Sequence, residues 1–325
     1  MRYPFKLSRL VTFALPAAAC VLSPFGDASA VEPPPSYASA VGYTVNTFSS
    51  FTNQSIDLTN SGRSGFQWYP WNFFGSHART ANIVVNADGS VTLNGDTTGP
   101  NGEIATATPA NNSAKFVGTA FGGGAYIEAS IMFDPATVAA ANSKGWPAFW
   151  SMALEHVATQ SQHWTGKPAG YLHFIEADFL EYDMLPSNLG KNYYGTSMRD
   201  WYGIYKTSCA PEALCDASRP YSEVKTMVPA NTDFRQYHRY GFLWVPATAA
   251  HAGYAEYFFD GNQVGNTINW SQFTDQPAIP NGQPWQYGVI DKQHLVLILG
   301  TGVNEPMTVK SVNVWQSSNS QNLHN

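Results

Sequence analysis

Charged residues are scarce in this chain of 325 amino acids, of which Asp, Glu, Lys and Arg make up 12%. Only 17 residues are basic against 23 acidic ones, and the formal net charge is −6. A surplus of negative charge is unfavourable for contact with phosphate backbones, so nucleic acid is excluded as an expected partner. No apolar run approaches the roughly 20 residues that a membrane-spanning helix needs, and no membrane span is predicted.

Cysteine is equally scarce, with three residues in the chain. Cys20 lies in the N-terminal apolar stretch, where lipidation of this cysteine is an alternative to its removal with a cleaved signal peptide. Cys209 and Cys215 are close in sequence, and in an oxidising compartment they are predicted to form a short-loop disulfide. No His or further Cys lies nearby at ligand spacing, so no metal site is predicted there.

The N-terminus is typical of a secretory signal peptide. Three basic residues precede an apolar stretch at 10–22, which is followed by Ala28-Ser-Ala30, a small-residue cleavage pattern. We therefore predict a signal peptide at residues 1–30. The mature protein is expected to be secreted, either to the periplasm or outside the cell.

The rest of the sequence has almost no helical periodicity. Turn signals such as Asp88-Gly89 and Asp260-Gly261 separate short runs of strand-forming residues, and only Pro135 to Ser143 suggests a short helix. Many short strands of this kind indicate an all-β sandwich or jelly roll of antiparallel sheets.

The predicted domain boundaries follow from the same distribution of strand and turn signals. Residues 31–42, which contain Pro33-Pro-Pro35, are interpreted as a stiff linker or an unpacked leader. Residues 43–316 are predicted to form one β domain, and residues 317–325 a flexible tail.

Several enzyme classes are excluded by missing motifs. The chain has no Gly-x-Ser-x-Gly elbow, Walker loop, His-Glu-x-x-His or dinucleotide fingerprint.

The most informative feature of the sequence is a row of acids in an apolar run, Glu176-x-Asp178-x-x-Glu181. A regular strand would turn Glu181 away from the other two acids, whereas one extra residue, a β-bulge around Phe179-Leu180, brings all three to one side.

That geometry suits a specific chemistry. The outer Cα atoms would lie about 13 Å apart, and two glutamates leaning inward could bring their carboxyl groups to about 5 to 5.5 Å, as a retaining glycosidase requires. A solvated strand face or a calcium site are the alternatives. Because Ile175, Ala177, Phe179 and Leu180 are all apolar, one face should be core, and this favours a cleft on the other.

The acidic row resembles the bulged Glu-x-Asp-x-x-Glu signature of glycoside hydrolase family 16, the laminarinase-like enzymes. The likeness extends over roughly residues 80–316. Flanking segments similar to family strands are Tyr126–Phe133, Gly145–Trp150, Tyr237–Trp244, Tyr257–Gly261 and Val309–Gln316. Two differences are Ala177, where the family usually has Ile or Leu, and Arg199-Asp200-Trp201, near which many members carry a His.

The resemblance implies a concanavalin A-like β-jelly-roll sandwich of two antiparallel sheets and an endo-acting, retaining glycoside hydrolase. Carried over residue by residue, it implies Glu176 as nucleophile, Asp178 as the partner that orients it, and Glu181 as general acid and base. The implied substrate is a β-linked glucan or galactan, with β-1,3-glucan favoured.

Aromatic residues make up 14% of the chain, and some could bind sugar faces. The candidate substrate-binding residues are Trp146, Trp150, Trp201, Tyr194 and Glu128. Trp150 has a core position as its alternative, and Glu128 a role as an ordinary exposed strand acid.

Two other functions stay open at this stage: a carbohydrate-binding protein of the same fold without catalysis, and a jelly-roll polysaccharide lyase. A polysaccharide is the expected partner and the protein is expected to be a monomer. No cofactor is predicted; the family resemblance allows a structural calcium ion, but no loop in the sequence specifies one.

Overall fold

The computed structural model describes residues 32–50, 55–73, 78–95, 102–110, 116–140, 146–158, 173–182, 193–202, 219–273, 287–300 and 306–325. Their strands form two large antiparallel sheets and one small sheet. The signal peptide predicted at residues 1–30 lies outside the described residues.

The first large sheet takes alternate apolar residues of its strands into the core. Its strands are β1 (Val45–Ser50), β3 (Ile83–Val85), β4 (Val91–Asn94), β8 (Ala125–Phe133), β13 (His238–Val245), β14 (Gly253–Phe259), β15 (Asn262–Trp270) and β17 (Pro306–Gln316). Their order is β15-β14-β13-β8-β17-β4-β3, with β1 also paired to β17. In β8, Ile127, Ile131 and the other odd-numbered residues face the core, while Tyr126 and Glu128 face outward.

The second large sheet carries the acidic row. Its strands are β2 (Tyr69–Pro70), β5 (Ile104–Ala105), β9 (Ala148–Ala153), β10 (His173–Glu181), β11 (Tyr193–Tyr202), β12 (Arg219–Met227) and β16 (Leu295–Gly300). Their order is β12-β11-β10-β9-β16-β5-β2. Every residue of β16 is buried, because apolar side chains cover this sheet on both faces there.

The remaining elements are short. The small sheet comprises β6 (Ala107–Pro109), β7 (Phe116–Ala120) and β18 (Leu323–His324). The α-helices are α1 (Ser36–Ala40), α2 (Pro135–Ala140) and α3 (Leu154–Val157), and 3-10 helices cover Thr80–Asn82 and Tyr287–Lys292.

Both predicted Asp-Gly hairpins are confirmed, as β3–β4 and β14–β15. In the second, Asp260 and Gly261 both have positive φ, 49° and 80°, as a two-residue hairpin turn requires.

The main core lies between the two large sheets. Phe179 of β10 stacks on Phe242 of β13 with ring centroids 4.7 Å apart, so side chains from both sheets interdigitate. A second apolar cluster, which includes Trp71, Phe73 and Phe174, covers part of the other face of the second sheet. The predicted fold class, an all-β sandwich of two antiparallel sheets, is thus the observed one.

The leader at residues 31–42 differs from its prediction. From Glu32 onward it is packed on the outer face of the first sheet rather than free, with Tyr37 of α1 stacked on Phe258 at 4.1 Å and its hydroxyl 2.7 Å from that of Tyr126. The carbonyl of Glu32 also accepts a hydrogen bond from Nε1 of Trp315. Apolar and aromatic side chains on that outer face account for the docking, since they would otherwise be exposed.

The tail at 317–325, predicted to be flexible, pairs with the small sheet at its end. Leu323 and His324 pair with β7, and Asn325 exchanges two backbone hydrogen bonds with Gly118. Unpaired backbone groups at the edge of β7 favour this addition of a strand. Residues 32–325 accordingly form one compact unit.

Candidate active site

The acidic row is built by a β-bulge. Against β9, Asp178 pairs with Trp150 and Leu180 with Phe149. The step from one pair to the next therefore takes two residues on β10 and one residue on β9. Against β11, Asp178 pairs with Ser197 and Glu181 with Gly195. Phe179 and Leu180 are consecutive, yet both are fully buried in the main core. The predicted bulge around Phe179-Leu180 is confirmed, and it returns Glu181 to the face that carries Glu176 and Asp178.

The cross-strand neighbours of the acids define the rest of this face. On β11, Arg199 lies opposite Glu176, Ser197 opposite Asp178 and Gly195 opposite Glu181. On β9, the positions opposite the same three acids are Met152, Trp150 and Ala148. We call the three acids with Trp150, Gly195, Ser197 and Arg199 the acidic face.

The three carboxyl side chains are buried to different degrees. Asp178 is 1% exposed and Glu176 8% exposed, whereas Glu181 is only partly buried. The Ser197 hydroxyl donates a hydrogen bond to Oδ2 of Asp178, and Nε of Arg199 lies 3.9 Å from the same oxygen. The central acid is therefore held by β11, while the outer glutamates are closer to solvent.

Burial and the negative charges of Glu181 and Glu176 raise the pKa of Asp178 well above its usual range, against the lowering effects of Ser197 and Arg199. Like charges this close cannot all ionise cheaply in a partly dehydrated site. Asp178 is therefore expected to retain a proton at a pH where an isolated aspartate is ionised.

Aromatic rings border the acidic face on the side of β9. Trp150 is partly buried and lies 6.0 Å from the ring of Trp71, which in turn packs edge-on against Phe73 at 5.1 Å. Trp150 packs on an apolar cluster and lies beside Asp178, a position compatible with both sequence interpretations, and its role in binding sugar stays a prediction. Trp146 precedes β9 and is 45% exposed.

Two predicted substrate-binding residues lie elsewhere. Tyr194 belongs to the core face of β11, because its neighbours Gly195 and Ser197 face the acids; its ring packs edge-on against Tyr240. Glu128 lies in the other sheet and faces outward, where Oε2 accepts a hydrogen bond from Tyr126. The predictions that these residues line the acidic cleft are wrong, because strand alternation for Tyr194 and sheet assignment for Glu128 turn them away.

Trp201 pairs through its backbone with Phe174 at the far end of β10 and β11. Its side chain lies outside the described part of the structure, and so do Cys209 and Cys215. Their predicted roles stay predictions.

Sequence reasoning missed Ser197 and Trp71. The alternation of 195, 197 and 199 could have suggested a shared face, but matching them to individual acids requires the register across the bulge. Trp71 comes from a distant part of the chain, with no local signal to connect it to Trp150.

Among the described residues, no group of three or more His, Cys, Asp or Glu side chains is arranged to hold a metal ion. None of the helices in the described ranges is long and apolar enough to cross a membrane.

No protein-family model matches the sequence, and no curated protein does so either. Among solved structures, the endo-1,3-β-glucanase from Streptomyces sioyaensis aligns with 91% of this chain and 100% of its own, at 17% identity and a TM-score of 0.50. The laminarinase from Flavobacterium sp. UMI-01 aligns with 84% of this chain and 100% of its own, at 15% identity and a TM-score of 0.47.

A non-specific endo-β-1,3(4)-glucanase from glycoside hydrolase family 16 aligns with 84% of this chain and 91% of its own, at 14% identity and a TM-score of 0.43. At such identities structural similarity establishes the fold and not the activity. The fold that the resemblance implied is confirmed: the chain shares the jelly-roll sandwich of two antiparallel sheets with the Streptomyces sioyaensis endo-1,3-β-glucanase.

Proposed function

We propose that this protein is a secreted glycoside hydrolase that cuts internal bonds of a β-linked polysaccharide with retention of configuration. The observation that carries the proposal is the bulge at Phe179-Leu180, which brings Glu176, Asp178 and Glu181 to one face of β10. A bulge costs ladder hydrogen bonds, and bulges are enriched beside active sites.

The proposed reaction has two steps. The Glu176 carboxylate attacks the anomeric carbon while the glycosidic C–O bond breaks, and Glu181 transfers its proton to the departing oxygen. Glu181 then takes a proton from water, whose oxygen attacks the same carbon, and the bond to Glu176 breaks. Two inversions give net retention, and each carboxyl returns to its starting protonation state.

The burial of each acid suits its proposed role. Asp178, almost fully buried, is suited to adjust the charge of its neighbours rather than to touch sugar. Glu181 is the least buried of the three and can exchange protons with a leaving group and with water. One ionised and one protonated carboxyl are needed at the start, and in this proposal Glu176 is the ionised one and Glu181 carries the proton.

For the substrate we favour β-1,3-glucan. The support is the resemblance of the acidic signature to laminarinase-like enzymes, together with the fold shared with an endo-1,3-β-glucanase. The test is a panel of β-1,3-glucan, mixed-linkage glucan, galactan and uronate polymers analysed for new reducing ends. An endo mode predicts a spread of oligosaccharides in the first minutes, and release of monosaccharide alone would contradict it.

Chemical rescue tests the roles of the two glutamates. With a substrate whose leaving group needs no protonation, Glu181→Ala should still form the glycosyl-enzyme, and azide should then give a product of retained configuration. Glu176→Gly has no nucleophile, so azide can react only by direct displacement, with inversion. Glu128→Gln is the matched control, since Glu128 is a buried glutamate of the other sheet; its activity should equal that of the parent.

The outcomes separate the rival functions. Binding of oligosaccharide without turnover, unchanged by the acid variants, would identify a carbohydrate-binding protein. Products that absorb in the ultraviolet would identify a lyase. If Glu176→Gly and Glu181→Ala both hydrolyse polymer like the parent, the acidic row is structural and the proposal fails.

We also propose that the mature chain begins near Val31 and carries a Cys209–Cys215 disulfide. The support is the cleavage pattern at Ala28-Ser-Ala30 and the remaining pair of cysteines. The intact mass of the protein recovered from the secreting cell shows where the mature N-terminus lies. Thiol titration of the denatured, unreduced protein tests the disulfide, and two reactive thiols would disprove it.

A further inference from the structure

Ser197 of the acidic face has hydrogen bonds in two directions. It is 2% exposed, and its hydroxyl donates to Oδ2 of Asp178. Its own backbone carbonyl accepts a hydrogen bond of 2.7 Å from the hydroxyl of Tyr257. Tyr257 belongs to β14 of the opposite sheet and is buried in the main core.

The backbone at Ser197 is irregular. The register between β11 and β12 shifts between Thr196 and Met198, and such a shift interrupts the ladder of backbone hydrogen bonds. A hydrogen bond from the other sheet holds the carbonyl of Ser197 at this point. The position of the Ser197 hydroxyl is therefore set by the packing of both sheets and not by β11 alone.

The two hydrogen-bonding groups of β11 that approach Asp178 face the same oxygen. Ser197 donates to Oδ2, and Nε of Arg199 lies 3.9 Å from Oδ2. A proton placed on Oδ2 would face a donor and a positive charge. A proton on Oδ1 faces neither of them, so protonation of Asp178 is favoured at Oδ1.

We propose that Ser197, anchored by Tyr257, is a positioning residue that directs any proton taken up by Asp178 to Oδ1. The proposal rests on the catalytic function proposed above for its effect on turnover. Its effect on where and when Asp178 takes up a proton does not depend on that function.

Among the residues that the structure describes, four ionisable groups interact electrostatically with Asp178. Glu176 and Glu181 are on its own strand, Arg199 is on β11, and Tyr257 belongs to the opposite sheet. Loss of the Ser197 hydroxyl removes a donor that favours the ionised carboxylate. Asp178 should then keep its proton to a higher pH, and the proton should no longer prefer Oδ1.

The first test compares Ser197→Ala with Ser197→Thr, which keeps the hydroxyl. Ser151→Ala is the matched control. Ser151 is a fully buried serine of β9, the strand that flanks β10 on the side away from β11, and its hydroxyl donates a hydrogen bond of 3.3 Å to the carbonyl of Ala177. In Ser197→Ala, kcat should fall about 10-fold with little change in KM, and the alkaline limb of the pH profile should move up by about one unit. Ser197→Thr should restore both.

The second test measures the protonation state of Asp178 directly and does not require catalytic turnover. ¹³C NMR of labelled aspartate carboxyls, with the Asp178 signal assigned through Asp178→Asn, should show a titration midpoint about one pH unit higher in Ser197→Ala than in the parent. Tyr257→Phe, which removes only a hydroxyl, should move the midpoint in the same direction by less. Tyr240→Phe is its control, since Tyr240 is another fully buried tyrosine of the first sheet.

The outcomes distinguish the two proposals. An unchanged midpoint in Ser197→Ala, or an equal shift in Ser151→Ala, overturns the role of Ser197. If Ser197→Ala does not fold, Tyr257→Phe decides, and a midpoint that matches Tyr240→Phe counts against the proposal. A parent that is inactive on every polymer while Ser197→Ala shows the expected shift counts against the catalytic function alone.

Discussion

Glu181 lies directly opposite Gly195, the position of the acidic face that has no side chain. A Cβ atom at Gly195 would lie 3.3 Å from the backbone oxygen, 3.5 Å from Cβ and 4.0 Å from Oε2 of Glu181. Any side chain at this position would therefore press on Glu181, the residue that we propose as general acid and base, and glycine leaves it the space it occupies.

The first prediction follows from this space. Gly195→Ala places its Cβ in tight contact with the backbone oxygen of Glu181, so that strand must shift by a few tenths of an ångström, and kcat should fall modestly. Gly195→Val should crowd Glu181 further and lower kcat about 10-fold or more. Steady-state kinetics measure the effect, with thermal unfolding as the check on folding. A valine variant that is folded and fully active would show that Glu181 needs no free space on this side.

The second prediction concerns Trp150, which lies beside Asp178 and packs against Trp71. If sugar stacks on the exposed part of this indole, Trp150→Ala should raise KM for polymer about 10-fold or more, with a smaller effect in Trp150→Phe. Because Trp150 also packs on the apolar cluster, the thermal stability of both variants must be measured in parallel. A loss of stability with unchanged KM would leave only the packing role.

The third prediction concerns Glu128 and pH. Burial is the largest cause of the raised pKa of this carboxyl, whose ordinary value is 4.5. A folded-state pKa above the unfolded one means that the folded protein binds more protons, so this group's contribution to stability falls as pH rises from about 4.5 through the folded pKa. Glu128→Gln should therefore gain stability relative to the parent across that range.

Urea unfolding of Glu128→Gln and the parent between pH 4 and 8 measures the difference. A difference that shrinks as the pH rises would contradict the assigned direction. Catalytic activity should stay unchanged, because Glu128 faces away from the acidic face.

The fourth prediction tests the docked leader. Tyr37→Ala removes the ring stacked on Phe258 and the hydroxyl that meets Tyr126. The expected loss is about 2 kcal/mol of unfolding free energy for this partly buried ring, or a melting temperature lower by about 4 to 8 °C. Val84→Ala, at an exposed apolar position of β3, is the control and should change the stability by less than about 0.5 kcal/mol. Equal melting temperatures for Tyr37→Ala and Val84→Ala would show that the leader adds no stability.

The sequence by itself determined the sandwich and the acidic row. Short strands, Asp-Gly turns and missing helical periodicity follow from local rules of backbone and side-chain geometry, so the hairpin at Asp260-Gly261 could be predicted. The bulge could also be predicted, because Phe179 and Leu180 are adjacent apolar residues between acids and both need burial.

Only the tertiary structure decided which residues meet the acids. Ser197 and Gly195 reach the acidic face through a register that depends on the bulge. Trp71 contacts Trp150 of that face although the two residues are far apart in sequence. The same cause explains the errors at Tyr194 and Glu128, since a strand pattern identifies two faces but not which face points to the core or which sheet the strand joins. Docking of the leader and tail likewise depends on apolar surface and unpaired edges that other parts of the chain create, and no local pattern encodes these.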